Sequence, residues 1–485
     1  MLAAQTCTVR IGGASWPHIF RERYPGSLLA LWLESIFDNY FRYVSDFLDV
    51  KVFRAYDVRG VYGTELTDDI ARKVGKALGS HLPDGRIALG MDTRVSGPAV
   101  ERAFLEGILS TGCSAEGYGV LPISMIGFET WKVGYDAAAY ISASHNPPEY
   151  NGIRFRTAEG YGMLYHETGI MDLYEKEVFR EGDGRETDRT PSSVIRRYAD
   201  YVKEKVEFER PLKIVLDAGN GSACGMGGLY QRLDFDYRMI NGMPDGMFPG
   251  RGPAPTEESL RDAAKMVVET GADYGVGFDP DADRGLVIDD RGRIVPPEKV
   301  AVILAKERYR TGDRVVAGFD CSMILERELL PLGFEVIRER VGDVFIANRV
   351  KREGAVIGVE RSAHLFLPEF QLSDDPFAMS LVLGEVISRG ERLSDLSDAI
   401  PDYPYVQRSV RIVGSAADLM RRLESDLASL EPDTTDGLKI IAEDYTVLIR
   451  PSNTQPLIRL YVETTGGSAF ELAERFEGII KGAME

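Results

Sequence analysis

From Val52 onward the chain alternates short β-branched runs with stretches of helical periodicity, and this alternation restricts its fold more than any other feature. Strands and helices in strict succession lead to parallel-rich sheets covered by helices, so the pattern predicts an α/β architecture. The expected strands are Arg86–Met91, Ala137–Ile141, Leu212–Leu216, Tyr274–Phe278, Leu286–Ile288, Arg314–Phe319, Phe334–Ile337 and Ala355–Val359. Helices are expected over Pro98–Ser110, Glu257–Thr270, Met323–Leu330 and Phe345–Arg352, the second capped by Thr256 with Glu257 and Glu258 in its first turn. The rhythm recurs roughly every hundred residues, which predicts three similar α/β domains in series. The last stretch differs. Strands at Val406–Val413, Thr446–Ile449 and Leu457–Val462 accompany two helix faces, one with Leu419, Leu423, Leu427 and Leu430, the other with Phe470, Ala473, Phe476 and Ile480. That mixture suits a smaller α+β domain. Pro, Asp and Gly gather at Arg189–Ser192, Arg291–Pro297 and Ile400–Pro404, placing domains at 51–190, 191–293, 294–403 and 404–485.

Residues 1–50 have another texture. Leu33, Ile36, Tyr40, Tyr43 and Phe47 recur at helical spacing, but Glu34, Asp38, Arg42, Asp46 and Asp49 interrupt the segment. It is neither a transmembrane helix nor a signal peptide; it reads as an appended extension without a part in the chemistry, with a docking or membrane-surface helix as the alternative. With a net charge of −19 the chain repels a phosphate backbone, so nucleic acid is not an expected partner. Four cysteines without a CxxC pair exclude a disulfide framework and read as reduced thiols of a cytoplasmic protein.

Three loops carry chemistry. Ser142-Ala143-Ser144-His145-Asn146-Pro147-Pro148 follows an apolar strand, which sets the Ser144 hydroxyl at a strand's carboxyl end, where α/β folds build sites. The plainer reading is a turn, and the hydrolase elbow G-x-S-x-G is absent. Asp279-Pro280-Asp281-Ala282-Asp283-Arg284 lies between two apolar strands. Its three alternate carboxylates repel one another unless a divalent cation joins them, and oxygen ligands suit Mg²⁺. An EF-hand fails, because Arg284 and Asp290 stand at the positions needing Gly and Glu. A phosphatase-type aspartate nucleophile and a solvated acidic turn stay open. Arg450-Pro451-Ser452-Asn453-Thr454-Gln455-Pro456 gathers guanidinium, hydroxyl and amide donors into a phosphate clamp or a polar hairpin. Two lesser segments accompany these. Tyr56-Asp57-Val58-Arg59-Gly60 offers a guanidinium to phosphate or to a surface acid. Gly358-Val359-Glu360-Arg361-Ser362-Ala363-His364 groups Glu, Ser and His as sugar-hydroxyl ligands or as a buried pair.

In this order, Phe53–Gly60 (FRAYDVRG), Ser142–Phe155 (SASHNPPEYNGIRF), Leu216–Ala223 (LDAGNGSA), Asp279–Arg284 (DPDADR), Gly358–His364 (GVERSAH) and Arg450–Pro456 (RPSNTQP) resemble the α-D-phosphohexomutase superfamily, the phosphomannomutases and phosphoglucomutases, over everything from about Phe53 onward. The resemblance implies four domains around a central cleft. It implies Ser144 as phosphoserine and, with Asp279, Asp281 and Asp283, as a Mg²⁺ ligand. Arg284 would lie beside the metal. Glu360, Ser362 and His364 would hold the sugar, and Arg450, Ser452, Asn453 and Thr454 the phosphate not being transferred, with help from Tyr56 and Arg59. The implied reaction interconverts hexose 1- and 6-phosphates, mannose and glucose favoured, through a hexose 1,6-bisphosphate. Phosphoglucosamine mutase and a non-catalytic phosphosugar-binding paralogue are the alternatives. The chain departs from the family pattern at three places. Arg154 stands where a lysine is taken to move protons, and a guanidinium is a poor base, so either His145 or direct proton exchange within the phosphoryl group would substitute. Pro280 and Ala363 replace glycines, and the alanine matters only if its site needs positive φ.

Overall fold

The apolar run Ala137–Ile141 is buried along its whole length, and the largest sheet is built around it. In the computed structural model, which describes residues 52–54, 56–412, 415–451 and 457–484, this sheet has six strands in the order Asp57–Val61, Tyr150–Thr157, Ala137–Ile141, Arg86–Met91, Ser114–Val120 and Glu186–Asp188. The last four run parallel; the first two are antiparallel additions that fold the Ser144 loop back over the strand ends. The extension 1–50 and its expected helix lie outside the described residues.

A second sheet runs Ile294–Val295, Gly285–Ile288, Tyr274–Phe278, Lys213–Asp217, Asp236–Ile240. Its antiparallel hairpin Tyr274–Phe278/Gly285–Ile288 carries the three aspartates at its tip. A third runs Glu335–Glu339, Arg314–Gly318, Ile357–Val359, Leu365–Phe366, with the first three parallel. The fourth is wholly antiparallel: Tyr405–Arg411, Leu457–Thr464, Tyr445–Pro451, Leu438–Ile441. One continuous apolar core joins the first three sheets, whereas the fourth packs on its own helices through Leu423, Phe476 and Ile480. This is the expected three-plus-one α/β organisation.

Two local expectations need correction. The helix expected from Glu257 begins at Arg261. Thr256 does act as a cap, accepting from Ser259 N at 3.1 Å, but it closes a turn that precedes the helix. Phe470 is 57% exposed, and the buried face of the last helix, Ala469–Gly482, is Ala469, Ala473, Phe476 and Ile480. The helical repeat was right, but its first member was off by one position.

Candidate active site

Ser144 is 2% exposed and sits at φ +50, a left-handed conformation that costs a non-glycine residue about 1–2 kcal/mol. Neighbouring groups enforce it. Its N–H donates to Ser142 Oγ at 2.8 Å, and Ser142 Oγ donates to Asp92 Oδ2 at 2.8 Å. Arg94, with a side chain fully out of solvent, spans the loop: its guanidinium donates to the carbonyls of Ser144 (2.5 Å), Asn146 (2.7 Å), Pro147 (2.6 Å) and Tyr150 (2.9 Å) and pairs with Asp92 at 3.1 Å. Burial pushes the Asp92 carboxyl up to about 6, although Arg94 works against it.

So held, Ser144 Oγ donates to Asp279 Oδ2 at 2.9 Å and lies 3.3 Å from His145 Nδ1. The charge of Arg284, then burial and Arg59, press the His145 pKa down to about 3, so its ring is neutral near neutral pH and is a weak base that could hold a proton only in passing. Arg59 donates to Asn146 Oδ1 at 3.0 Å and pairs with Asp57 at 2.5 Å, which fixes it beside the serine loop.

Asp279, Asp281 and Asp283 are each 0% exposed, and one carboxylate oxygen from each lies within 4.8 Å of the others. Burial, with Asp283 and Asp281 added, drives the Asp279 pKa well up. Asp281 Oδ1 and Asp283 Oδ1 are buried without any hydrogen-bond partner. Three crowded carboxylates with two orphaned oxygens fit a hard divalent cation. Arg154 supplies the balancing charge from the other side. One Nη contacts Asp281 Oδ2 at 2.9 Å and Asp283 Oδ2, and the other meets Asp343 Oδ2 at 2.5 Å. Burial lowers the Arg154 pKa, but Asp343, Asp283 and Asp281 together raise it well above the ordinary value, so this group is a fixed cation. The aspartate turn is positioned from the first sheet as well, since Ile123 N, at the start of helix Ile123–Val133, donates to Asp281 O at 3.0 Å.

Glu360, Ser362 and His364 follow strand Ile357–Val359. Glu360 Oε1 accepts from Gly342 N at 2.5 Å and Oε2 from Ser362 Oγ at 3.2 Å. Burial raises the Glu360 pKa to about 7 despite His364. His364 Nε2 lies 3.0 Å from Arg284 Nε, and Nδ1 lies 2.8 Å from Asp374. Burial lowers the His364 pKa, but Asp283 and the hydrogen bond to Asp374 raise it to about 10, so the ring holds a proton on Nδ1, directed at Asp374. Tyr56 packs edge-on against Phe345, and burial, Asp343 and Glu360 raise its phenol pKa. Gly342 is required here: at φ +142, a Cβ would fall 2.9 Å from both rings. Arg450 pairs with Asp436 at 3.4 Å; Asp436 also accepts from Val341 N at 3.0 Å, one residue from the amide that holds Glu360. Ser452, Asn453 and Thr454 lie outside the described residues.

Ser144, His145, Arg154, the aspartates, Arg284 and His364 therefore form one bonded cluster, with Arg59 reaching it through Asn146 and Glu360 through its own loop. Sequence reasoning missed Asp92, Arg94, Asp343 and Asp374. Asp92 and Arg94 directly follow strand Arg86–Met91, so the rule that pointed to Ser144, a polar residue at a strand's carboxyl end, would have found them.

Four models of the phosphoglucomutase/phosphomannomutase family match in series: alpha/beta/alpha domain I at residues 50–181, domain II at 196–292, domain III at 296–403 and the C-terminal domain at 411–478. The chain belongs to this family. Among phosphoglucomutase/phosphomannomutase relatives, a probable phosphoglucosamine mutase of Methanothermobacter thermautotrophicus is 32% identical over 90% of this chain and 98% of its own. A phosphoglucomutase/phosphomannomutase of Thermococcus kodakarensis is 33% identical over 85% and 94%. A crystal structure of a phosphoglucomutase/phosphomannomutase family protein from Burkholderia thailandensis superposes with a TM-score of 0.81 at 27% identity, covering 89% of this chain and 97% of the other. The chain is thus a phosphohexomutase by family, an isomerase fold of the intramolecular phosphotransferase type.

Against that family pattern, Ala363 proves to be the costly departure. It sits at φ +73, so the site does need positive φ and the alanine is strained. Pro280 is not among the residues with positive φ and is accommodated.

Proposed function

We propose that the protein interconverts hexose 1-phosphates and hexose 6-phosphates through a phosphoserine at Ser144 and a hexose 1,6-bisphosphate. The observation that carries this is the 2.9 Å bond from Ser144 Oγ to Asp279, beside two orphaned aspartate oxygens. Asp279, Asp281 and Asp283, with the Ser144 group, would hold Mg²⁺, whose charge would neutralise the phosphoryl oxygens during transfer.

In the first half-reaction the P–Oγ bond of phospho-Ser144 breaks and a bond forms from phosphorus to the free hydroxyl of the sugar monophosphate. The hydroxyl proton ends on Ser144 Oγ. His145 is the carrier, neutral and 3.3 Å from that oxygen; Arg154, fixed by three carboxylates, is not. After the bisphosphate turns over, Ser144 Oγ takes the other phosphoryl group by the reverse path. Arg284, Glu360, Ser362 and His364 orient the sugar, with help from Tyr56 and Arg59. Arg450, with Ser452, Asn453 and Thr454, grips the remote phosphate by donors that do not depend on sugar identity. The expected partner is a small phosphosugar, not nucleic acid, and the free thiols of Cys113, Cys224 and Cys321 suit a cytoplasmic setting.

The test is incubation with Mg²⁺, a trace of hexose 1,6-bisphosphate and hexose 1-phosphates. Isomerisation that disappears in Ser144→Ala is expected; release of inorganic phosphate without isomerisation would identify a phosphatase instead.

A further inference from the structure

Strand Lys213–Asp217 runs into the Leu216–Ala223 motif, which the phosphoryl-transfer reading leaves without a task. This loop lies against the aspartate turn. Ser222 N donates to the Pro280 carbonyl at 2.8 Å. A Cβ on Gly221 would fall 2.7 Å from Pro280 Cα and 2.8 Å from Pro280 O, so the glycine is needed for close approach and not for its conformation, which has φ −89. A second grip comes from Arg251, whose side chain is 3% exposed. Its Nη2 donates to the Phe278 carbonyl, and its Nε pairs with Asp217 Oδ1 at 3.0 Å. Asp217 Oδ1 also accepts from Gly219 N at 2.9 Å and Asn241 Nδ2 at 3.0 Å, which fixes the carboxylate that Arg251 leans on. With Ile123 N on the Asp281 carbonyl, three of the four carbonyls from Phe278 to Asp281 accept from groups outside the hairpin. The fourth, of Asp279, closes the turn on Ala282 N at 3.0 Å, and Ala282 sits at φ +53. Released from these bonds, a turn with a left-handed alanine and three like charges would spread and separate its carboxylates. The same loop reaches the serine side, since Asn220 O accepts from Thr93 Oγ1 at 2.8 Å, next to Arg94.

We propose that Arg251 is a positioning residue for the Mg²⁺ ligands, and that together with the Gly221–Ser222 edge it keeps the three aspartates convergent enough to bind the cation. This rests on the reading of those aspartates as the Mg²⁺ site given above. Arg251 makes no hydrogen bond or ion pair to Asp279, Asp281 or Asp283; it acts through the Phe278 peptide, which sets the direction of Asp279.

Calorimetric titration of Mg²⁺ into the full-length protein, at equal Ser144 phosphorylation checked by intact mass, tests this without turnover. Arg251→Met should weaken Mg²⁺ binding at least about tenfold, the loss typical when a group supporting a metal ligand is removed. Arg338→Met is the control. Arg338 is also largely buried, pairs with Glu326 at 2.6 Å and donates to the carbonyls of Gly318, Cys321 and Ser322, none of which belongs to the aspartate turn. A part in general stability alone would move both variants alike. A loss below about tenfold in Arg251→Met, or one matched by Arg338→Met, overturns the proposal. If Arg251→Met does not fold, Gly221→Ala decides, since its methyl pushes on Pro280: a loss of at least about tenfold supports the brace and a smaller one overturns it. A wild type that takes up no Mg²⁺ would sink the cation reading and this one with it. Mg²⁺ binding that depends on Arg251 in a protein that isomerises nothing would sink the mutase reading and leave this one standing.

Discussion

Arg94 makes the Ser144 loop rigid, and its loss has a defined cost. Four loop carbonyls and the Asp92 carboxylate converge on one guanidinium with no exposure. Arg94→Met leaves Asp92 without its buried partner and should lower unfolding free energy by about 3–5 kcal/mol. Arg94→Lys keeps the charge but lacks the fork, so kcat should fall at least about a hundredfold while KM changes little, because the serine and not the sugar loses its position. Equal changes in kcat and KM would assign Arg94 a general structural part only. Ala363 gives the opposite sign. At φ +73 the alanine is strained, and Ala363→Gly should raise the urea midpoint by an amount equivalent to about 1 kcal/mol. A lower midpoint would show that the alanine methyl, 5% exposed in the sugar loop, contributes packing that outweighs its backbone strain. Residue identities at Ser144 and the aspartates were legible from the sequence because motif and strand end coincide. Arg94 could have been found at the end of its strand, but Asp343 could not, because its ion pair with Arg154 joins residues 189 positions apart and leaves no periodic trace in the chain.

At the scale of elements, strand cores were read nearly to the residue. Ala137–Ile141 and Tyr274–Phe278 are buried on both faces, so their apolar runs stand out. Helix starts were read less well, as Thr256 illustrates, because a cap can close a single turn before the helix begins. Which strand meets which loop across sheets was not legible either, and Lys439 shows the consequence. It lies on strand Leu438–Ile441, 4% exposed, donating to the Phe319 carbonyl at the end of another sheet's strand. Burial first, then Arg338, press its pKa down to about 7 against Glu326, Cys321 and Asp320. An unfolded lysine titrates near ~10.4, so between about pH 7 and that value the unfolded chain binds more protons at this site. The contribution of Lys439 therefore penalises the fold fully below about pH 7 and is relieved as pH rises. Unfolding free energy of the wild type relative to Lys439→Met should grow by more than about 1 kcal/mol between about pH 7 and 9.5. A constant difference across that window would mean that the ammonium is not desolvated in the folded protein.

Across the whole molecule, Arg154 is the point where three sheets meet. It projects from strand Tyr150–Thr157 of the first, binds Asp281 and Asp283 at the hairpin tip of the second, and reaches Asp343 at the start of helix Asp343–Glu353, which packs on the third. Two of these carboxylates, Asp281 and Asp283, are candidate cation ligands, so fold stability and cation affinity are linked through one guanidinium. A cation that binds the folded chain alone should stabilise it by about 2.7 kcal/mol at a hundred times its Kd. Mg²⁺ should therefore raise the thermal midpoint, NaCl at equal ionic strength should not, and Asp281→Asn should abolish the rise. Removing the competing positive charge in Arg154→Met should tighten Mg²⁺ binding at least about tenfold, read as the midpoint of the thermal-shift titration, while the metal-free protein loses about 3–5 kcal/mol. Arg154→Lys, which keeps the charge without the bidentate fork, should lose stability with a much smaller change in Mg²⁺ affinity. If Arg154→Met instead weakens Mg²⁺ binding, the guanidinium is part of what shapes the cation site, not a charge that opposes it, and the sheets must be held in register by Arg154 before the aspartates can act together.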